Sequence, residues 1–491
     1  MSTINTQPGY LDLPEGLYSK VPVSHFPQPA LFAANLDLAG MFGVESDWFE
    51  SATALSALSG RQPLYDGGPI AMAYSGHQFG QYAPLLGDGR AMLAGALHDQ
   101  GGHEHELHLK GSGLTPFSRG GDGKATLGAA IREYIVSEAM AALGVATSCS
   151  LAIVTTGEQI MRQQGRLPGA VLARTARSHL RVGTFQYTAA NHDADTLRTL
   201  ADFAITRLDP ELMDLGDQRY AAFLNRVAER QVKLIAQWMS FGFIHGVMNT
   251  DNMTLSGETI DYGPCAFMDV FHPARVFSSI DHYGRYAWNK QPEIGLWNLS
   301  RLAEAMLPLF ASEEADQIAA AEAALKEYPA QFKTAWVAAM SDKLGLSEAT
   351  NHEAFIEQTL SLLFEGKADF TRTFTTLTRY AGGGDETALI GEFEDGDAAK
   401  AWLQDWDTLT GGPAGIDPAR LAAMRAANPV RIARNHQVEA AIIASEQHGD
   451  DRPFQSLLSA LKEPFSENTS YSRYEAAPEP EEVVQQTFCG T

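Results

Sequence analysis

The sequence predicts an α+β fold in two lobes: a small sheet carrying one inserted helix, then a larger, mostly helical region. Three observations lead there. Between about Tyr74 and Ala176 short apolar runs alternate with glycine turns, one stretch of helical period interrupts them, and from Asp193 onward that period dominates. The 491 residues leave room for about two or three domains. A chain of this length buries a large core without a metal or disulfide staple.

Residues 1–65 are punctuated by prolines, lack a long periodic run and read as a wrapping extension. The first lobe is expected over 66–190. Within it Ala91–Leu97, Glu106–Lys110, Leu151–Thr155 and Val171–Ala176 read as strands. Ala125–Leu143 reads as a helix, with Leu127, Ile131, Ile135 and Ala139 at i+4 spacing and Gly144 as its stop. The helical lobe is expected over 191–463. Its clearest helix is Tyr220–Phe243, where Tyr220, Phe223, Leu224, Val227, Gln231, Leu234, Ile235 and Trp238 share one face. Met253–Leu255, a Ser256-Gly257 turn and Glu258–Asp261 read as a hairpin. Ala-rich helices fill Trp297 to about Ala460, and residues 464–491 form an acidic, Pro-bearing tail expected to cross the surface.

Charge narrows the partners. Against 36 Lys and Arg stand 60 Asp and Glu, a net charge of −24. Such a surface repels phosphate backbones and anionic lipid heads, so neither nucleic acid nor a membrane is expected as partner. No apolar stretch reaches the roughly 18 residues that span a bilayer. The first residues, MSTINTQPGYLDLPEGLY, lack the layout of a signal peptide. Three cysteines do not make a secreted disulfide framework. A cytoplasmic protein is the expectation.

Three groups of residues could carry chemistry. Gly80 to Arg90 is glycine-rich and leads into the strand at Ala91. Gly87 and Gly89 would let backbone N–H groups approach phosphate oxygens and Arg90 would add charge, although a Gly-Asp-Gly turn needs no ligand. Lys110 ends a strand and Glu133 follows inside the helix. Protein kinases use such a pair to hold nucleotide phosphates; an ordinary surface pair is the bland alternative. The third group is the run from His245 to Asn252, followed by Asp261-Tyr262-Gly263. Kinases place an Asn seven residues after the His of His-Arg-Asp, then a hairpin and Asp-Phe-Gly. Asn252 and Asp261 hold those places, and their oxygens are hard ligands suited to Mg²⁺. A kinase-like two-lobed fold with helical C-terminal embellishment is therefore expected.

One position departs from that pattern. Val247 stands where kinases carry the carboxylate that accepts the substrate proton. A catalytically silent ATP-binding pseudokinase scaffold, an unusual kinase transferring the γ-phosphoryl group, and an enzyme working through another carboxylate all stay open. Asp251, beside Asn252, is the substitute base, or else a loop-capping Asx residue.

Taken together the motifs resemble the SelO/YdiU family of selenoprotein-O-like pseudokinases. The matching stretches are Tyr74 to Gly80, Gly87 to Arg90, Leu109 to Gly113, Ile131-Arg132-Glu133, Ser178-His179 between Arg174 and Arg181, His245 to Asn252, Asp261 to Pro264, Asn428-Pro429 and Arg434-Asn435-His436. The resemblance implies a protein adenylyltransferase. Its ATP would sit inverted relative to kinases, AMP would pass to a Ser, Thr or Tyr hydroxyl of a protein, and pyrophosphate would leave. It also implies roles: Lys110 holds phosphates and pairs with Glu133, and Gly87, Gly89, Arg90, Asp122, Gly123, Arg174 and Arg181 surround the nucleotide. Asn252 and Asp261 would bind Mg²⁺ or Mn²⁺, and Asp251 would be the general base.

The chain departs from the family at two places. Asp122-Gly123-Lys124-Ala125 carries Lys where the family has Arg, and Gly128-Ala129-Ala130 replaces an Arg-Ser-Ser run. Lys124 keeps charge but loses the planar fork. Cys489 sits where some relatives carry selenocysteine, and Cys265 lies in what would be the activation segment. A conditional Cys265–Cys489 disulfide is expected under oxidation, against two thiols in a reducing cytosol. Cys149 reads as a small core hydrophobe.

Overall fold

A computed structural model describes residues 7–347 and 352–488. The fold is α+β, built around one antiparallel eight-stranded sheet. Its elements begin with β1 (Tyr18–Lys20), β2 (Ala30–Ala34), the short helices α1 (Leu36–Met41) and α2 (Ala52–Leu58), and β3 (Ile70–Met72). A separate hairpin of β4 (Gly76–Gln78) and β5 (Gln81–Ala83) follows. Then come β6 (Ala91–His98), β7 (Glu104–Lys110), β8 (Ala125–Thr126), α3 (Leu127–Ala142), β9 (Cys149–Arg162) and β10 (Gly165–Ala176). The strand order is β1-β3-β6-β7-β10-β9-β2, with β8 pairing β10 off this path. Both edge strands, β1 and β2, come from the first 65 residues, so this segment closes the sheet at each side.

The four strands of the sequence reading are present and all are longer, β6 and β7 by one or two residues, β9 and β10 by more. Leu151–Thr155 grows to Cys149–Arg162 because its polar half pairs with Gly165–Pro168 across a tight turn. Polar residues on a two-stranded arm carry no hydrophobic alternation to reveal them. The helix begins two residues later than expected. Ala125 and Thr126 pair with Ala170 and Gly169, and Thr126 Oγ1 caps the helix by accepting from the Ala129 N–H (3.3 Å).

β7 decides what the sheet presents to each side. Leu107 and Leu109 pack into one apolar core, whereas Glu106, His108 and Lys110 point the other way. Arg174 on β10 lies opposite His108 and extends this polar face. Helix α3 packs Ile131 and Ile135 against Ile153 and Leu172 and presents Glu133 to Lys110.

Past the sheet the chain is helical: α4 (Val182–Asn191), α5 (Ala194–Leu208), α6 (Arg219–Ser240), and a run of further helices over 291–461. The face of α6 from Tyr220 to Trp238 is buried as the periodicity requires. Gln231, the polar member of that face, donates to Thr254 O (2.8 Å). The expected hairpin at 253–261 is not a ladder. The turn exists, but its arms pair outward: Leu255 N–H donates to Leu180 O (3.0 Å) and Thr259 N–H to Ala146 O (2.9 Å). Neighbouring segments offer those backbone groups partners on both sides, so the arms need not pair with each other. Among the described residues no helix is long and apolar enough to cross a membrane.

Candidate active site

A cleft of about 590 Å³ lies between the polar face of the sheet and the segments around 247–252 and 261–264. Gly87, Gly89, Arg90, Lys110, Asp122, Gly123, Arg174, Arg181, Asp251, Asn252 and Asp261 all line it. Glu133 sits one layer behind, bonded to Lys110.

One wall is made of two glycine-bearing loops packed on each other. Thr115 Oγ1 donates to Asp88 O (2.6 Å) and Ser118 Oγ to Gly89 O (2.5 Å). Gly87 has φ +62°, and a Cβ there would overlap the Phe117 ring. Gly123 has φ +68°, and its Cβ would overlap Gly113 O. Both glycines are needed for loop packing. The Asp122 carboxylate is engaged by Arg162 (2.8 and 3.1 Å) and by the Lys124 N–H (3.0 Å), and thereby ties this loop to the end of β9.

The floor is a network of buried charges. Lys110 Nζ donates to Glu133 Oε2 (2.5 Å) and Asp261 Oδ1 (2.6 Å). Arg174 Nη1 donates to Glu133 Oε1 (2.7 Å) and Asp261 Oδ1 (3.2 Å), and Arg181 Nη1 lies 3.6 Å from Asp261 Oδ2. Burial works against ionisation of Asp261. The charges of Lys110, Arg174 and Arg181 outweigh it and hold the carboxyl well below its ordinary value. Glu133 is lowered in the same way, with Lys110 and Arg174 overcoming burial. Beneath them the fully buried Asp88 accepts from Met72 N–H (3.0 Å) and contacts His108 Nε2 (3.0 Å). Burial opposes its charge too, but His108, Arg181 and that N–H bring it down to about 2. Three cations with carboxylates at their backs line the cleft, an arrangement that could grip a polyphosphate.

The opposite wall carries the run that begins at His245. His245 is buried with Nε2 2.9 Å from Ile260 O, and so fixes the loop rather than facing the cleft. Asn252 Nδ2 donates to Val247 O (3.0 Å), which leaves its side-chain oxygen as the end that could ligate a metal. Asp261 adopts φ +63°, a left-handed conformation that Asp tolerates better than most residues. Asn252 and Asp261 fit an Mg²⁺-type ion, which takes few protein oxygens and completes its shell with phosphate and water. Asp251 is 7% exposed, and burial raises its carboxyl to about 6.

Sequence reasoning missed several residues of the cleft. Arg119, Arg162, Gln78 and Ile280 line it too. Arg162 stands alone at the polar end of a strand, with no motif to flag it. Gln78 lies inside the Tyr74–Gly80 stretch, whose role spacing alone does not reveal. Residues near the end of the described chain also approach. Thr487 Oγ1 donates to Pro264 O (2.5 Å), and Thr487 exchanges backbone hydrogen bonds with Phe277 and Ser279. Cys265 is buried, and its thiol donates to Tyr262 O (3.1 Å). Cys489, the other half of the expected disulfide, lies outside the described residues. Cys149 is half-buried, and burial pushes its thiol up to about 12.

Comparison with known proteins gives the class. A protein of Bradyrhizobium sp. strain BTAi1 is 48% identical over 487 residues, covering 99% of both chains. One of Rhodopseudomonas palustris strain BisB5 is 48% identical over 484 residues, 98% of both. One of Rhizobium meliloti strain 1021 is 46% identical over 493 residues, 100% of both. Each bears the name protein nucleotidyltransferase YdiU. The chain is an enzyme of the nucleotidyltransferase class. Residues 1–462 match the family described as protein adenylyltransferase SelO, and the chain belongs to that family.

Proposed function

We propose that the chain transfers AMP from ATP to a Ser, Thr or Tyr hydroxyl of a protein, with a kinase-like two-lobed arrangement holding the nucleotide. The observation that carries this reading is the pairing of Asp251 with Val247. The kinase base position is a buried aliphatic, while a carboxylate raised to about 6 lines the same cleft beside Asn252. A carboxyl tuned toward neutrality suits a general base.

In this mechanism Lys110, Arg174 and Arg181 hold the β- and γ-phosphates. Glu133 and Asp88 keep these cations oriented when phosphate oxygens compete for them. The acceptor oxygen attacks the α-phosphorus, and its proton passes to the Asp251 carboxylate. The bond from the α-phosphorus to the bridging oxygen breaks, and pyrophosphate takes the electron pair. Guanidinium forks gain strength as charge builds on that leaving group. Mg²⁺ or Mn²⁺ held by Asn252 and Asp261 would neutralise phosphate charge.

The test is ATP labelled on either the α- or the γ-phosphate, incubated with the protein and a pool of bacterial proteins. Acid-stable label in protein from the α-position alone is the expected result. Label from the γ-position alone means phosphoryl transfer, and none from either means a scaffold.

A further inference from the structure

Strand β4 of the β4–β5 hairpin lies in the Tyr74–Gly80 stretch, to which the mechanism so far gives no part. Each residue of the loop 249–251 is gripped by β4 or the residue following it. Phe79 N–H donates to Asn249 Oδ1 (3.1 Å), an oxygen that also accepts from Tyr286 OH (2.6 Å). His77 N–H donates to Thr250 Oγ1 (2.7 Å), which in turn donates to Gln186 Oε1 (2.7 Å). Gln186 Nε2 closes the circuit 2.9 Å from His77 Nδ1. Gln78 Nε2 donates to Asp251 Oδ2 (3.2 Å).

The two oxygens of Asp251 are thereby made unequal. Oδ1 is buried with no hydrogen-bond partner among the described residues. A Cβ on Gly76 would overlap it and would come 2.8 Å from Leu86 Cδ1, so Oδ1 rests against Gly76 with no space for another atom there. Oδ2 takes the Gln78 amide, and Gln78 and Asp251 both line the cleft. A carboxylate oxygen has two lone pairs, so one hydrogen bond from Gln78 leaves Oδ2 able to accept another.

We infer that Gln78 is a positioning residue for Asp251, and that together with Gly76 it fixes the carboxylate so that Oδ2, and not Oδ1, receives the acceptor's proton. This rests on the AMP-transfer reading above. Gln78 supplies no proton and takes none. It holds the carboxylate plane by one lone pair, as the second hydrogen bond of an oriented base does in other acid–base sites.

Gln78→Met keeps the length of the side chain and removes its donor. With α-labelled ATP, Mn²⁺ and bacterial lysate proteins as acceptors, kcat should fall roughly 10- to 100-fold, the scale of a misplaced reacting group. KM for ATP, the Kd for ATP by calorimetry and the melting temperature should stay at wild-type values. Gly76→Ala should act in the same direction, and Gln78→Met carries the test if that variant fails to fold. A Gln78→Met enzyme with unchanged kcat overturns the inference and leaves AMP transfer standing. A raised KM at constant kcat overturns it as well, because Gln78 would then be a nucleotide contact. Wild-type protein that transfers no α-label overturns both.

Discussion

Asp261 is at once a candidate metal ligand and the carboxylate that Lys110, Arg174 and Arg181 share. Asp261→Asn should therefore have opposite effects with and without metal. Removing the charge takes a repulsive carboxylate away from an incoming phosphate and frees three cations at 2.6, 3.2 and 3.6 Å from its oxygens. At a separation of about 6–8 Å and an effective dielectric near 20, the relieved repulsion is about 2–3 kcal/mol. Solvent in the cleft reaches 22% of the Asp261 side chain, and screening brings this to about 1–1.5 kcal/mol, roughly tenfold in Kd. Titration calorimetry with ATP in chelator should show the variant binding about tenfold tighter than wild type. With Mg²⁺ or Mn²⁺ the order should reverse, and α-label transfer should be lost. The variant should stay folded, because Glu133 still accepts from both Lys110 and Arg174. A folded Asp261→Asn protein that binds metal-free ATP no better than wild type would refute the argument that these cations are poised for phosphate.

Three further outcomes follow from the same geometry. Asp251→Asn should lower α-label transfer by roughly 10²- to 10⁴-fold, the usual worth of a general base, while calorimetry shows ATP binding intact. Gly87→Ala must place a Cβ in the Phe117 ring at φ +62°, so urea unfolding should show a loss of about 1–3 kcal/mol, with weaker ATP binding from the displaced loop. Lys343, buried against the rings of Phe374 and Phe370, is brought down to about 7 by burial. The unfolded chain keeps that proton up to about 10.5, so between these values it binds more protons than the folded chain and stability rises with pH. In Lys343→Met that slope should flatten, as measured by urea unfolding at pH 7, 8 and 9.

The parts of this molecule legible in the sequence are those where one residue's periodicity or type answers to one neighbour. Alternation in His105 to Lys110 placed β7, and the face of α6 was readable despite Gln231 because seven apolar positions outvote one amide. Lys110, Asn252 and Asp261 were readable through kinase-like spacing, and they do share a cleft. Pairings made at a distance were not legible. The outward-facing arms of 253–261 depend on Leu180 and Ala146, far off in the chain, and a local turn signal reads as a hairpin regardless. Arg162 reaches Asp122 only because β9 runs well past its apolar half. The Gln78–Asp251 contact spans 173 residues and involves an amide with no pattern around it.

The seating of Thr487 bears on when the site is finished during synthesis. Its side chain holds Pro264 O, three residues past Asp261, and its backbone pairs with Phe277 and Ser279. A nascent chain can fold its sheet, charge network and Asp251 loop once the corresponding residues have left the ribosome. The strap across the segment after Asp261 has to wait until translation has passed Thr487. The segment that carries Asp261 into Pro264 is thus the last part of the cleft to be fastened.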